Sequence, residues 1–82
     1  MTFEEKMKAM LVERGLFDEQ ADVVIQNAKE KIGDSMTRRW NEDSEGYPPS
    51  MIAVVWISVK NEAKDYIAEN LPKAWFRPMF ES

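Results

Sequence analysis

Apolar side chains near the start of the chain recur at the spacing of one helical face. Thr2 and Glu5 have the capping-box spacing, and Gly15 is typical of the residue that follows a helix. The pattern therefore predicts a first helix over about residues 3–14. The stripe consists of Phe3, Met7, Met10, Leu11 and Arg14, of which only the last is charged.

A second apolar stripe follows after a short connection. Asp18 is a good N-cap residue, and Glu19 suits the positive end of a helix dipole. Gly33 or Asp34 is expected to end this helix. Because so few residues separate the two helices, they should pack as a hairpin or a sharp corner. The stripe residues are Ala21, Val24, Ile25, Ala28 and Ile32.

Residues 34–49 have a less regular pattern. A short helical turn is predicted at residues 35–40, and residues 41–46 have the composition of a loop. The segment 47–49 (Tyr-Pro-Pro) should be extended, because each proline disfavours the α conformation in the residue before it.

The next segment predicts a long third helix from Pro49 to about Asn70, with Pro72 beyond its end. Residues 51–59 are rich in β-branched side chains and would suit a strand. A helix is favoured, because the apolar stripe continues into the polar stretch 61–64, which no strand would tolerate. That stripe comprises Ile52, Val55, Trp56, Val59, Ala63, Tyr66 and Ile67.

Together these patterns predict a single all-α domain over residues 1–82. It has three principal helices, a short extra helical turn and an aromatic C-terminal tail docked on the third helix. The tail, residues 75–80, could instead be a linear motif for a partner. The expected core residues are Phe3, Met7, Leu11, Val24, Ile25, Ala28, Ile52, Val55, Trp56, Val59 and Ile67.

Composition limits the chemistry of this 82-residue, 9.6 kDa chain. It contains neither cysteine nor histidine, which excludes disulfides, zinc-finger clusters, thiol nucleophiles and Ser-His-Asp triads. We therefore expect no enzyme activity, no cofactor and no metal. The net charge of −4 also disfavours general binding of DNA or RNA.

The location of the protein can be judged from two segments. The longest apolar run, residues 51–57, is far shorter than the roughly 20 residues that cross a bilayer, and the N-terminus lacks a signal-peptide pattern. We expect a protein of the cytoplasm without membrane contact.

Calcium binding is not expected, although part of an EF-hand loop has the right spacing. The matching residues are Asn41, Asp43, Glu45 and Gly46, but Ile52 stands where that loop needs a glutamate.

Two basic residues beside aromatic residues form one candidate site. Guanidinium groups next to aromatic rings suit a phosphate and a stacked base. The alternative is a solvated arginine pair, with the tryptophan in the core. The candidate ligand-binding residues are Arg38, Arg39, Trp40 and Tyr47, with Arg77 as a further clamp.

Two other sets of residues are candidates for contacts with proteins. Glu42, Asp43 and Glu45 would offer an acidic patch to a basic partner, and Trp75 and Phe76 are aromatic residues that a partner could bind. A separate set lies off the main stripe of the third helix and predicts self-association, unless the tail covers that face. Its members are Met51, Val54 and Ile57.

Several stretches resemble small open reading frames of bacteriophages and prophages, which encode small acidic helical accessory proteins without an assigned activity. They are Met1-Thr2-Phe3-Glu4-Glu5-Lys6, Gly15-Leu16-Phe17, Tyr47-Pro48-Pro49 and the tail from Asn70 to Phe80. The resemblance implies a phage accessory protein that acts in a bacterial host cell. It transfers no functional residue.

Three functions are compatible with that context. The first is an inhibitor of a bacterial defence system that binds a host protein. The second is an oligomeric sponge that sequesters a nucleotide immune signal, and the third is a virion assembly or structural protein. The modest negative charge counts against a phosphate ligand, unless the arginines converge on one site.

Overall fold

The computed structural model describes residues 1–70, and within them the fold is all-α. The chain forms α1 (Phe3–Glu13), α2 (Asp18–Ile32), the short α3 (Asp34–Thr37), a single 3-10 turn (Ser44–Gly46) and α4 (Pro49–Asn70). The helix predicted over residues 3–14 and the choice of helix for residues 49–70 are confirmed. The predicted docking of the aromatic tail lies outside the described residues.

The start of α1 has the predicted capping box. The Thr2 N–H donates to Glu5 Oε1 at 2.7 Å, and the Glu5 N–H donates to Thr2 Oγ1 at 3.1 Å. These bonds satisfy two N–H groups that have no partner within the helix. The hydrogen bond from the Thr2 backbone is also the main reason why the pKa of the Glu5 carboxyl lies below its ordinary value.

The N-cap of α2 lies one residue earlier than the sequence pattern predicts. Phe17, not Asp18, is the N-cap, and its N–H donates to Gln20 Oε1 at 2.9 Å. Leu16 is buried beside this turn, which fixes the direction in which the chain enters the helix. Asp18 becomes the first helical residue, where its charge still complements the helix dipole.

Helix α2 is central in the packing, since it contacts α1, α3 and α4. Two ion pairs join it to α1, with Lys8 Nζ 2.9 Å from Asp22 Oδ1 and Lys29 Nζ 2.6 Å from Glu4 Oε1. Because these pairs join residues of the two helices in reversed order, they favour the hairpin over the sharp corner, the two arrangements expected for so short a connection. Arg14, the charged member of the α1 stripe, lies 4.6 Å from the centre of a ring of Trp56 on α4.

Most of the predicted core is buried, but the N-terminal half of α4 is less covered than expected. Ile52, Val55 and Trp56 are only partly buried and pack against the edge of the core. The core also includes residues outside the predicted set, namely Leu16, Ala21, Trp40 and Ala63. The predicted core residues that are buried are Phe3, Met7, Leu11, Val24, Ile25, Ala28, Val59 and Ile67.

Within residues 1–70, no helix combines the length and the hydropathy needed to span a membrane.

Candidate functional site

The two aromatic residues of the candidate ligand site belong to the packing of α1. Trp40 is only 3% exposed, and its ring centroid lies 5.4 Å from that of Phe3. The Tyr47 ring lies 4.4 Å from the Phe3 ring, and its hydroxyl donates to the carbonyl of Arg39. The structure thus places Trp40 in the core, where its face is covered and cannot stack on a base.

The two arginines are not brought together around one ligand position. Arg39 Nε donates to Glu42 Oε2 at 2.6 Å, and this bond raises the pKa of the Arg39 guanidinium. Arg38 instead borders a groove of about 300 Å³. Arg77 lies outside the described residues. The other residues lining the Arg38 groove are Glu4, Lys29, Asp34, Thr37 and Asn41.

The formal charges in the Arg38 groove balance. Lys29 and Glu4 form an ion pair with a 2.6 Å Nζ–Oε1 distance. Arg38 and Asp34 add one charge of each sign. A phosphate would therefore meet two cations and two carboxylates in this groove, which is a weak arrangement for an anion.

The acidic segment Glu42–Glu45 is exposed, yet its backbone is held in place. The side chains of Glu42 and Asp43 are 50% and 65% exposed. The Phe3 N–H donates to the Glu42 carbonyl at 2.9 Å, and the Ser44 N–H donates to the Met1 carbonyl at 3.0 Å. These two bonds form an isolated antiparallel bridge between Thr2 and Asp43. Three carboxylates are thus displayed on a fixed turn beside the start of α1.

Asp43 and Glu42 also have structural contacts within this segment. Asp43 Oδ1 accepts a 2.9 Å hydrogen bond from the Glu45 N–H, which caps the 3-10 turn. Glu42 holds Arg39, as described above. The second oxygen of Asp43, Oδ2, lies 4.0 Å from the Met1 amino group. Both carboxylate side chains nevertheless remain at the surface.

The first half of α4 presents an exposed face without charge. No residue of Pro49–Val59 is charged. Met51, Val54 and Ile57 are 45%, 65% and 55% exposed, so the three residues predicted to lie at an interface are all accessible. Trp75 and Phe76, the aromatic residues proposed for a partner, lie outside the described residues.

An ion pair between α2 and α4 is the feature that sequence reasoning missed. Lys31 Nζ lies 2.6 Å from Glu62 Oε2 and 3.9 Å from Asp65 Oδ2. Glu62 is buried, although it is a glutamate on a helix surface. The signal was its spacing, because Val59, Glu62 and Tyr66 fall on one helical face at i, i+3 and i+7.

The Lys31–Glu62 pair borders a groove of about 320 Å³ between the two helices, and Ala28, Ser58 and Asn61 also line it. The hydrogen bond that Lys31 donates to Glu62 raises the pKa of the Lys31 ammonium. Because Lys31 on α2 pairs with Glu62 and Asp65 on α4, this arrangement links α2 to α4. Among the described residues, no group of three or more carboxylates is placed to hold a metal ion.

No protein family, no curated protein and no solved structure matches this chain.

Proposed function

We propose that this chain is a non-enzymatic binding protein, encoded by a bacteriophage, that inhibits a bacterial defence system by binding a host protein. The host partner would present a basic surface to the acidic segment Glu42–Glu45. The phage context and the cytoplasm of a bacterial host rest on the resemblance of the sequence. The binding mode rests on the geometry of the acidic segment.

The observation that carries the proposal is the combination of exposed carboxylates and a fixed backbone. The turn is tied to the start of α1 by two backbone hydrogen bonds, which form the antiparallel bridge between Thr2 and Asp43. Because such a turn is already ordered, little conformational entropy is lost when a partner binds it, and this improves affinity. Complementary charge would also accelerate the encounter and fix the orientation of the complex.

The experiment removes charge without removing the cap. The triple variant Glu42→Gln, Asp43→Asn and Glu45→Gln keeps a side-chain oxygen at position 43 for the Glu45 N–H. The wild-type and variant proteins, expressed in bacteria with an affinity tag, are compared for the host protein that each retains. We expect the variant to retain far less of it, and the wild-type association rate to fall as salt is added.

The matched control carries the same change of net charge on other surfaces. Its substitutions are Glu13→Gln, Glu19→Gln and Glu30→Gln, at three exposed glutamates of α1 and α2. The control should retain the host protein as the wild type does. Equal loss in both variants would mean that net charge matters and that the acidic segment does not, which would contradict the proposed binding mode.

A nucleotide sponge is the second candidate, and it depends on Arg38. Arg38 borders the 300 Å³ groove with Asn41 and Lys29, which could hydrogen-bond a phosphate. The variant Arg38→Ala should then abolish retention of a small anionic ligand while the fold is kept. The burial of Trp40 and the two carboxylates in the groove make this function the weaker one. No feature of residues 1–70 favours the virion alternative.

A further inference from the structure

We propose that two copies of this chain pair through α4 in antiparallel orientation, with the two-fold axis passing between the positions of Val55 and Trp56. The proposal concerns the outer stripe of α4, which we define as Ser50, Val54, Ile57 and Asn61. It is independent of the host-protein proposal, because none of these residues belongs to the acidic segment.

The four residues of the outer stripe are all exposed and are spaced by four, three and four positions. This is the spacing of the contact seam of a two-helix coiled coil. The buried residue Val59 and the partly buried Ile52 lie on the opposite side of the helix, against the core. The outer stripe can therefore contact a second helix while α4 keeps its packing on α1 and α2.

The antiparallel register pairs like with like. Val54 lies opposite Ile57 of the second copy, and Ser50 lies opposite Asn61 of the second copy, so apolar meets apolar and polar meets polar. The flanking residues Ala53 and Ser58 are small and uncharged, which allows close approach of the two helices. A two-fold interface of this kind uses the same patch on both copies.

Charge decides between antiparallel and parallel pairing. Lys64 continues the outer stripe at the same spacing, so a parallel pair would place it against Lys64 of the second copy. Like charges in contact are destabilising. In the antiparallel register the position opposite Lys64 falls beyond Pro49, where α4 of the second copy has not yet begun. The uncharged first half of α4 thus matches a second copy of itself.

The length of the outer stripe determines how strongly two copies should associate. From Ser50 to Asn61 the helix rises about 17 Å, which is shorter than the contact that buries the standard 800 Å² per partner. We therefore expect a weak, reversible dimer whose population rises with protein concentration.

The first test measures molecular mass by sedimentation equilibrium over a range of concentrations. We expect the wild type to reach the mass of two chains, and Val54→Lys to stay at the mass of one. Val23→Lys is the matched control, since Val23 is an exposed valine on α2 that is 44% exposed, and it should behave as the wild type does. Circular dichroism is used to check that each variant is as helical as the wild type.

The second test determines the orientation, and the absence of cysteine from the chain makes it simple. Ser50→Cys and Asn61→Cys are prepared separately, mixed, and treated with a short bismaleimide. The antiparallel register predicts crosslinking between the two variants. It predicts little crosslinking within either variant, because identical positions would lie about 17 Å apart along the helix axis.

Three results would overturn the proposal. One is a wild type that remains a single chain at a concentration on the order of 1 mM, as expected if the chain's own residues 71–82 or another protein occupies the face. Another is a Val54→Lys variant that still dimerises. The third is crosslinking of each cysteine variant with itself, which would indicate parallel pairing.

Discussion

Phe3 and Trp40 pack with their ring centroids 5.4 Å apart and their planes tilted by 50°. Beside this contact the Glu4 N–H donates to the Trp40 carbonyl at 2.9 Å. The side-chain contact and the backbone bond together anchor the chain after α3 to the first turn of α1. The exposed carboxylates that follow are therefore presented from an anchored segment.

Trp40→Ala should strongly destabilise the fold. Truncating a buried tryptophan costs about 3–5 kcal/mol, and a chain of this length has a total stability of only about 4–12 kcal/mol. We expect a large drop in the urea midpoint, measured by far-UV circular dichroism. Arg38→Ala, at an exposed neighbour, should change the free energy of unfolding by no more than about 0.5 kcal/mol. An unchanged midpoint for Trp40→Ala would show that its ring is not part of the core.

Gly33→Ala and Gly46→Ala should differ in their effect on stability. Gly33 joins α2 to α3 with φ of +100°, a conformation that side chains with a Cβ disfavour. No atom lies within 4 Å of an added Cβ at either glycine, so the backbone angle alone separates the two. We expect Gly33→Ala to lose about 1 kcal/mol or more. Gly46→Ala should be close to neutral in the same urea titration.

The Lys31–Glu62 pair should contribute to the free energy of unfolding at neutral pH and lose this contribution at alkaline pH. The pKa of Lys31 is raised in the folded chain by the hydrogen bond that it donates to Glu62. The contribution of the ion pair to the free energy of unfolding is therefore fully present below the ordinary lysine pKa. It is lost as the pH rises through the raised pKa of Lys31 in the folded chain. The loss should be smaller in Glu62→Gln than in the wild type.

The measurement for this pair is the free energy of unfolding in urea, from neutral pH to strongly alkaline pH. Asp22→Asn is a useful control, because it removes the comparable Lys8 pair and leaves Lys31 unchanged. If the wild type and Glu62→Gln lose stability in parallel above the ordinary lysine pKa, the Lys31 contact makes no pH-dependent contribution.

The helices could be predicted from the sequence because local signals agree with tertiary packing. The capping box at Thr2 and Glu5 and the proline at position 49 both lie where their helices begin. The predicted N-cap of α2 was wrong by one residue. Asp18 is the better cap by composition, but the Gln20 side chain and the burial of Leu16 place the cap at Phe17.

The candidate site was harder to predict, because the role of a side chain depends on distant residues. Trp40 beside two arginines suits either a ligand site or a core, and only its contact with Phe3 distinguishes them. The spacing of Glu62 indicates that it lies on the covered face of α4, but no local pattern contains its ion pair with Lys31 of another helix. The exposure of Val54 and Ile57 follows from the side of α4 that α1 and α2 cover.

The central claim, binding of a host protein through the acidic segment, is tested most directly by native mass spectrometry. The wild type and the triple amide variant at Glu42, Asp43 and Glu45 are recovered gently from expressing bacterial cells. The account predicts a stoichiometric host protein on the wild type and its loss from the variant. A small-ligand mass in place of a host protein, a wild type with nothing bound, or equal retention by both proteins would contradict it.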